Sequence, residues 1–306
     1  MNLSEIETFL MIVKTKNITK TADNLFLSQP TVSHRLKLLE DELGVKLITR
    51  KKGYKQIELT TWGEEFIPIA ERWISVWQEM QLLKEGREKL YLTIGCTDTL
   101  NSAMFFDLYK QMLEENEDEH MMNLRVKTHY SREIYGLLEN HDIHLGFVHH
   151  HLHFKNVIAE PILQEKMYIL QSEGSELLKP VLHTDELDLE RKIFFSWEVS
   201  YQIWHNQWVS REKSPRMEVD TFELLFHLLS KENMWSIVPA SVAERIQDLR
   251  TVYVSEIGNK QQPPKRVTYK VKHKYPNEAT LKAVTRFEEK LDAYLQKKDW
   301  GYLGRG

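Results

Sequence analysis

The chain has 306 residues, 42% hydrophobic and 28% charged, which fits two or three folded domains and excludes a disordered chain. No apolar run approaches the about 18–20 residues a helical membrane span needs, so no membrane partner is expected. The net charge of −4 is uneven: residues 1–60 hold ten Lys/Arg against seven Asp/Glu, so the head is +3 and the remainder −7. Only the head has the sign a nucleic-acid binder needs. Met1-Asn2-Leu3-Ser4-Glu5 lacks a basic n-region and an apolar core, so no secretory signal is expected. The single cysteine, Cys96, excludes an internal disulfide framework and suits a reducing cytoplasm.

Residues 3–15 predict a first helix, capped by Ser4, with Ile6, Phe9, Leu10 and Val13 inward. Ile18 to Gly44 then reads as two helices with a tight turn. The first runs about Thr19–Phe26, capped by Asn17 or Thr19. The second is capped by Ser28, carries Pro30 in its first turn and stops at Gly44. Val32, Leu36, Leu39 and Leu43 make its apolar stripe, while Thr31, Ser33, His34, Arg35 and Lys37 crowd its N-terminal half with donors. Such a helix is suited to entering the DNA major groove by its first turns. Leu47–Leu59 reads as two short strands around Lys51-Lys52-Gly53-Tyr54, a wing with a basic tip. Arg50, Lys51, Lys52 and Lys55 there are either phosphate contacts or a solvated turn; the adjacent helix pair favours the former.

Phe9, Ala22, Leu25, Ser28-Gln29-Pro30, Val32-Ser33, Leu39-Glu40, Leu43-Gly44, Leu47, Arg50 and Leu59-Thr60-x-x-Gly63-Glu64 together resemble the LysR-type transcriptional regulators. Thr21, His34 and Ile48 depart from that pattern, where Ala, Arg and Phe are common. The resemblance implies a winged helix-turn-helix DNA-binding domain (1–60), a long dimerising linker helix (61–89) and a two-lobed α/β, periplasmic-binding-protein-like effector domain (90–306). It places lobe one at about 90–161 and 266–306, and lobe two at about 162–265.

From Thr60 to about Lys89 one long helix is predicted. Trp62, Phe66, Ile69, Trp73, Val76, Met80 and Leu83 form a heptad seam along it. A narrow aromatic stripe of this kind reads as a dimer interface; the competing reading is an intramolecular core stripe. Beyond it, Tyr91–Gly95, Asn101–Asn116, Leu124–Thr128, Arg132–Asn140 and His144–Val148 alternate strand and helix, which points to a parallel, doubly wound sheet. Later strands are expected at 157–161, 167–171, 192–195, 236–238, 252–254 and 266–273, and helices at 201–211, 221–229 and 277–297.

Ligands of such sheets sit beyond the C-terminal strand ends. Those ends carry Thr97, Asp98, Thr99, Ser102, His129, Ser131, His149, Ser196, Trp197, Glu198 and Thr221, each either an effector contact or only a helix cap. The His149–His153 run reads as a wet loop, and no metal ligand set is assigned. No cofactor motif or catalytic constellation stands out, so an enzyme is not expected.

The resemblance thus implies a cytoplasmic regulator of double-stranded promoter DNA, a homodimer or homotetramer that answers to a small-molecule effector and works with RNA polymerase. On this reading Thr19, Ser28, Gln29, Pro30, Thr31, Ser33, His34, Arg35 and Lys37 meet DNA, with Arg50, Lys51 and Lys52 from the wing. The alternative is a small-molecule binder or enzyme on the same two-lobed fold without specific DNA binding.

Overall fold

A computed structural model describes residues 2–50, 57–83, 90–114, 122–209 and 217–304, without the side chains of Arg50, Ser75, Gln78, Glu79, residues 81–83 and Trp208. The chain forms two compact units, Met1–Glu88 and Lys89–Gly306.

In the first unit, α1 (Leu3–Thr15), α2 (Ile18–Leu25) and α3 (Gln29–Leu43) pack around Ile6, Phe9, Ala22, Val32, Leu36 and Leu39. The cap of α1 is Asn2 and not Ser4. Its side chain accepts from the Glu5 amide, and the Glu5 carboxylate takes the Asn2 amide at 2.9 Å, a reciprocal capping box. Asn17 caps α2 through the Lys20 amide at 3.1 Å. Ser28 caps α3, and Gly44 ends it at φ 71°. Thr21, which departs from the LysR pattern, is buried with its hydroxyl 2.6 Å from that of Thr15 and 2.8 Å from the Asn17 carbonyl, so the extra oxygen is satisfied.

The wing strands β1 (Ile48–Arg50) and β2 (Ile57–Leu59) pair antiparallel. The basic tip with Lys51, Lys52 and Lys55 lies outside the described residues, as does the side chain of Arg50. Buried Glu40 ties α3 to the wing. Its carboxylate accepts from the Leu47 amide (2.9 Å), the Ile48 amide (3.3 Å) and the Lys46 ammonium (2.6 Å). Thr60 opens α4 (Thr61–Leu83) by accepting from the Gly63 amide at 3.0 Å.

The heptad seam divides in two. Phe66 is buried against Phe9, with ring centroids 5.3 Å apart, and Trp73 is half-buried against the same core. Both face the head, which corrects their placement on a dimer seam. Trp62, Ile69, Val76 and Met80 remain exposed, the first three at intervals of seven. The Leu83 side chain lies outside the described residues.

The second unit holds two sheets. The first has the order β4-β3-β5-β13-β6, built from β3 (Leu90–Cys96), β4 (Met122–Thr128), β5 (Leu145–Val148), β6 (Val157–Glu165) and β13 (Arg266–His273). The second has the order β11-β7-β12-β8, from β7 (Met167–Gln171), β8 (Val181–Leu182), β11 (Trp235–Pro239) and β12 (Tyr253–Ile257). A parallel pair, β9 (Ile193–Phe195) and β10 (Met217–Val219), adjoins it through the Lys192–Trp235 bridge.

These sheets are mixed, not purely parallel. β3 runs parallel to β4 and β5, but β13 is antiparallel to both β5 and β6. The reason is connectivity: β6 leaves lobe one and β13 returns to it, and the two pair along nearly their whole length. β6 also continues past Pro161 to Glu165, so the chain crosses at Lys166. Pro161 is tolerated because β6 is an edge strand.

The expected single helix at 101–116 is a π turn (Leu100–Met104) followed by α5 (Phe106–Glu114). The further helices are α6 (Ser131–Glu139), α7 (Val199–Trp208), α8 (Phe222–Leu228), α9 (Ala240–Leu249) and α10 (Glu278–Leu295). α9 was not predicted; Val242, Ala243 and Ile246 bury it in lobe two. α10 is capped by Asn277 and packs Ala283, Phe287 and Leu291 onto one face of the first sheet, while α6 covers the other.

Candidate functional site

The first unit presents a polar surface at the start of α3. Thr19, Ser28, Gln29, Pro30, His34 and Lys37 are exposed; Thr31, Ser33 and Arg35 are half-buried. Gln29 is held by its amide, which donates to the Thr19 hydroxyl at 2.9 Å, and Ser28 and Thr31 hydroxyls lie 2.8 Å apart. Arg35 reaches back toward Thr8 at 3.5 Å and flanks the helix. The freest donors on this face are therefore His34 and Lys37, with Gln29 in a preset rotamer.

In the second unit a cleft of ≈ 620 Å³ opens where β3, β4, β5 and β9 end. Lobe one lines it with Thr97, Asp98 and Thr99 after β3, His129 after β4, Ser131 opening α6, and His149 after β5. Lobe two supplies Ser196, Trp197, Glu198 and Thr221. The strands deliver these residues together because their C-terminal ends face one space. Ser102 does not line the cleft; it sits in the π turn. Tyr130, Arg132, Glu133, His150, Asp220 and Arg266 also line it.

Arg266 organises the floor and was missed in the sequence. Its Nε donates to Glu198 Oε1 at 2.8 Å, its Nη1 donates to the Thr99 hydroxyl at 3.2 Å, and its guanidinium lies 4.2 Å from the centre of the Trp197 ring. A signal existed: Arg266 is the charged first residue of a strand, directly after the Pro263-Pro264-Lys265 connector where the chain returns to lobe one. Burial, the largest single influence, raises the Glu198 carboxyl, but the Arg266 charge, His149 and the hydrogen bonds from Arg266 and the backbone together outweigh it and bring it down to about 2. Behind them, buried Glu165 accepts from the Ser241 amide at 2.8 Å, and burial raises its carboxyl.

His149 is buried, and burial first, then the Arg266 charge, lowers it to about 3. It is neutral at pH 7. Its Nδ1 lies 3.2 Å from the Val267 carbonyl, which can only accept, so the proton sits on Nδ1 and Nε2 offers a lone pair. Among the described residues, His149 Nε2, His129 Nε2 and Thr97 Oγ1 are buried cleft-lining atoms without a hydrogen-bond partner.

The histidine run disperses. His150 Nδ1 meets the Ser131 hydroxyl at 3.3 Å, and His151 stacks on Tyr269. Among the described residues no group of three or more His, Cys, Asp and Glu is placed to hold a metal ion. Cys96 is buried beside the Tyr109 hydroxyl (3.6 Å), and burial pushes its thiol up to about 12, which removes the reactive thiolate at neutral pH.

Residues 3–64 match the model of the bacterial regulatory helix-turn-helix protein, lysR family, and residues 85–287 match the LysR substrate binding domain. The chain belongs to the LysR family. A curated relative, the HTH-type transcriptional regulator HdfR of Yersinia enterocolitica serotype O:8 / biotype 1B, is 32% identical over 118 residues, 38% of this chain and 40% of that protein. The match to this LysR relative thus spans less than half of its length. Among solved structures, full-length CbnR complexed with its target DNA superposes with a TM-score of 0.73 at 19% identity, covering 96% of this chain and 100% of that one. Full-length BenM gives 0.51 at 18%, covering 97% and 98%. At these identities the likeness is one of LysR fold. Among the described residues no helix is long and apolar enough to cross a membrane.

Proposed function

We propose that this LysR-family chain is a sequence-specific, DNA-binding transcriptional regulator controlled by a small molecule held in the cleft of its second unit. The observation that carries the reading is the exposed first half of α3, where Gln29, Pro30, His34 and Lys37 stand clear of the head's core. Gln29 and His34 read base edges, Pro30 and Thr31 meet a thymine methyl, and Lys37 and the wing cations meet phosphates. Arg35 serves the flank of the contact. The CbnR structure, a complex with target DNA, supports placing DNA at this unit.

The protein works as a homodimer or homotetramer. Trp62, Ile69, Val76 and Met80 supply an apolar stripe for a second copy, and two heads then read a pseudo-palindrome. The working division is a head at 1–60, a linker helix at 61–89 and an effector domain at 90–306. The effector biases the two lobes and through them the spacing of the heads on promoter DNA, where RNA polymerase is recruited in the cytoplasm. The sites need no catalytic group and no cofactor.

A gel shift with operator and random DNA across salt concentrations tests this. Gln29→Ala and His34→Ala, each folded, are expected to lose specific retardation and keep salt-sensitive non-specific binding. Full specificity in both variants would refute the assignment.

A further inference from the structure

The cleft contains two groups suited to an anion, and its own carboxylates occupy both. The guanidinium of Arg266 is taken by Glu198 at 2.8 Å, with Thr99 on Nη1 and the indole of Trp197 against its face. The free amide of Phe222, at the start of α8, is taken by Asp98 Oδ2 at 2.6 Å across the cleft from lobe one. An incoming carboxylate would have to displace Glu198 or Asp98 and leave it desolvated and unpaired.

What remains open has the opposite polarity. His149 directs its one N–H, on Nδ1, to the Val267 carbonyl, so Nε2 is a bare, buried acceptor. An anionic oxygen there would set lone pair against lone pair. The lining also carries four acids (Asp98, Glu133, Glu198, Asp220) against two guanidinium groups (Arg132, Arg266). The neutral form of His149 agrees with its burial beside Arg266.

From this we infer that the cleft takes a small organic molecule without negative charge that donates a hydrogen bond, from an amine or a hydroxyl, to His149 Nε2. This rests on the effector reading above and names its ligand class. Thr97, whose hydroxyl is also buried without a partner, lines the same space and can accept a second hydrogen bond from the ligand. The resident pairs Arg266–Glu198 and Asp98–Phe222 act as a filter that rejects carboxylates.

Thermal unfolding of the full chain with matched skeletons tests the inference: benzylamine, benzyl alcohol and benzoate, and their butyl counterparts. Amine or alcohol at several times its Kd should raise Tm by about 2–4 °C, and the carboxylates should not. The amine and alcohol arms separate the two donor types. His149→Phe should abolish the response. Glu198→Gln removes the charge that neutralises Arg266 and should make benzoate stabilising. If a carboxylate stabilises the unaltered protein as well as the amine or alcohol does, the donor inference falls and the effector reading stands. If no compound of any class moves Tm or DNA retardation, both fall.

Discussion

The exposed start of α3 and the cleft use polar residues in opposite ways. On the head, polar side chains bond to near neighbours and stay exposed: Gln29 to Thr19, Ser28 to Thr31. In the cleft, polar groups are buried and bond across the chain: Arg266 to Glu198 and Thr99, Asp98 to Phe222. The head therefore offers its donors at small cost to its own fold, since water already satisfies them. The cleft binds its charges into the fold, so a change there disturbs stability and recognition together.

The sharpest way to break this contrast is to strip the cleft of Arg266. Arg266→Met leaves Glu198 buried without its partner and is expected to destabilise the second unit by about 3–5 kcal/mol, read by urea unfolding. Adding Glu198→Leu should restore part of that loss; full additivity of the two changes would show that the pair is not coupled.

Acid should distinguish the units next. His149 and His205 have folded-state values lowered to about 3 and about 4, from 6.5, by burial first and then by Arg266 and Lys192 respectively. Below about pH 6.5 the unfolded chain takes up protons that the folded chain refuses, so stability falls with pH until the folded values are passed. Each group contributes about 1.4 kcal/mol per pH unit in that window. Glu198, lowered from 4.5 to about 2, adds its own loss below pH 4.5. Chemical denaturation from pH 7.5 to 4.5 should show the second unit weakening well before the carboxylate range. A flat profile to pH 5 would contradict the neutral, buried histidines.

Gly63→Ala tests the head by packing. A Cβ at Gly63 would stand 2.1 Å from the Leu47 carbonyl oxygen, where the wing meets α4. The expected cost is about 1–3 kcal/mol, confined to the first unit, seen as a lower melting temperature and faster exchange of the Leu47–Ile48 amides. The smallest effect belongs to Lys37. Lys37→Ala should leave stability within about 0.5 kcal/mol and reduce the salt slope of DNA binding by about 1.

The same contrast explains what was legible. The head's motif is local: Asn17, Ser28, Pro30 and Gly44 act on amides within a few residues, so caps and helices were readable to within a residue or two. The misplaced cap, Ser4, lies two residues past the true one, Asn2, and the choice turned on whether Glu5 could reach back to Asn2. The stripe on α4 divides because period alone does not say what covers it: Phe66 packs on Phe9 within the head, while Trp62, Ile69, Val76 and Met80 stay exposed. In the cleft, ten of the eleven named residues line one space, because the ends of parallel strands converge whatever the side chains are. Ser102 was lost to the π turn, whose extra residue per turn rotates the helix start in a way that no spacing rule anticipates.

The helix pair of the head, the wing strands, the alternation of strand and helix from β3 to β5 and the strand ends from which a site is built follow from sequence alone, since each depends on contacts within a few residues or on the period of burial, whereas β8, β10 and α9 do not. Only the tertiary structure decided that β13 returns antiparallel beside β6, that Phe66 belongs to the head's core, and that Arg266 is neutralised by Glu198 from 68 residues away. Those outcomes depend on which distant surfaces meet, and the charge state of the cleft follows from that meeting and from nothing local.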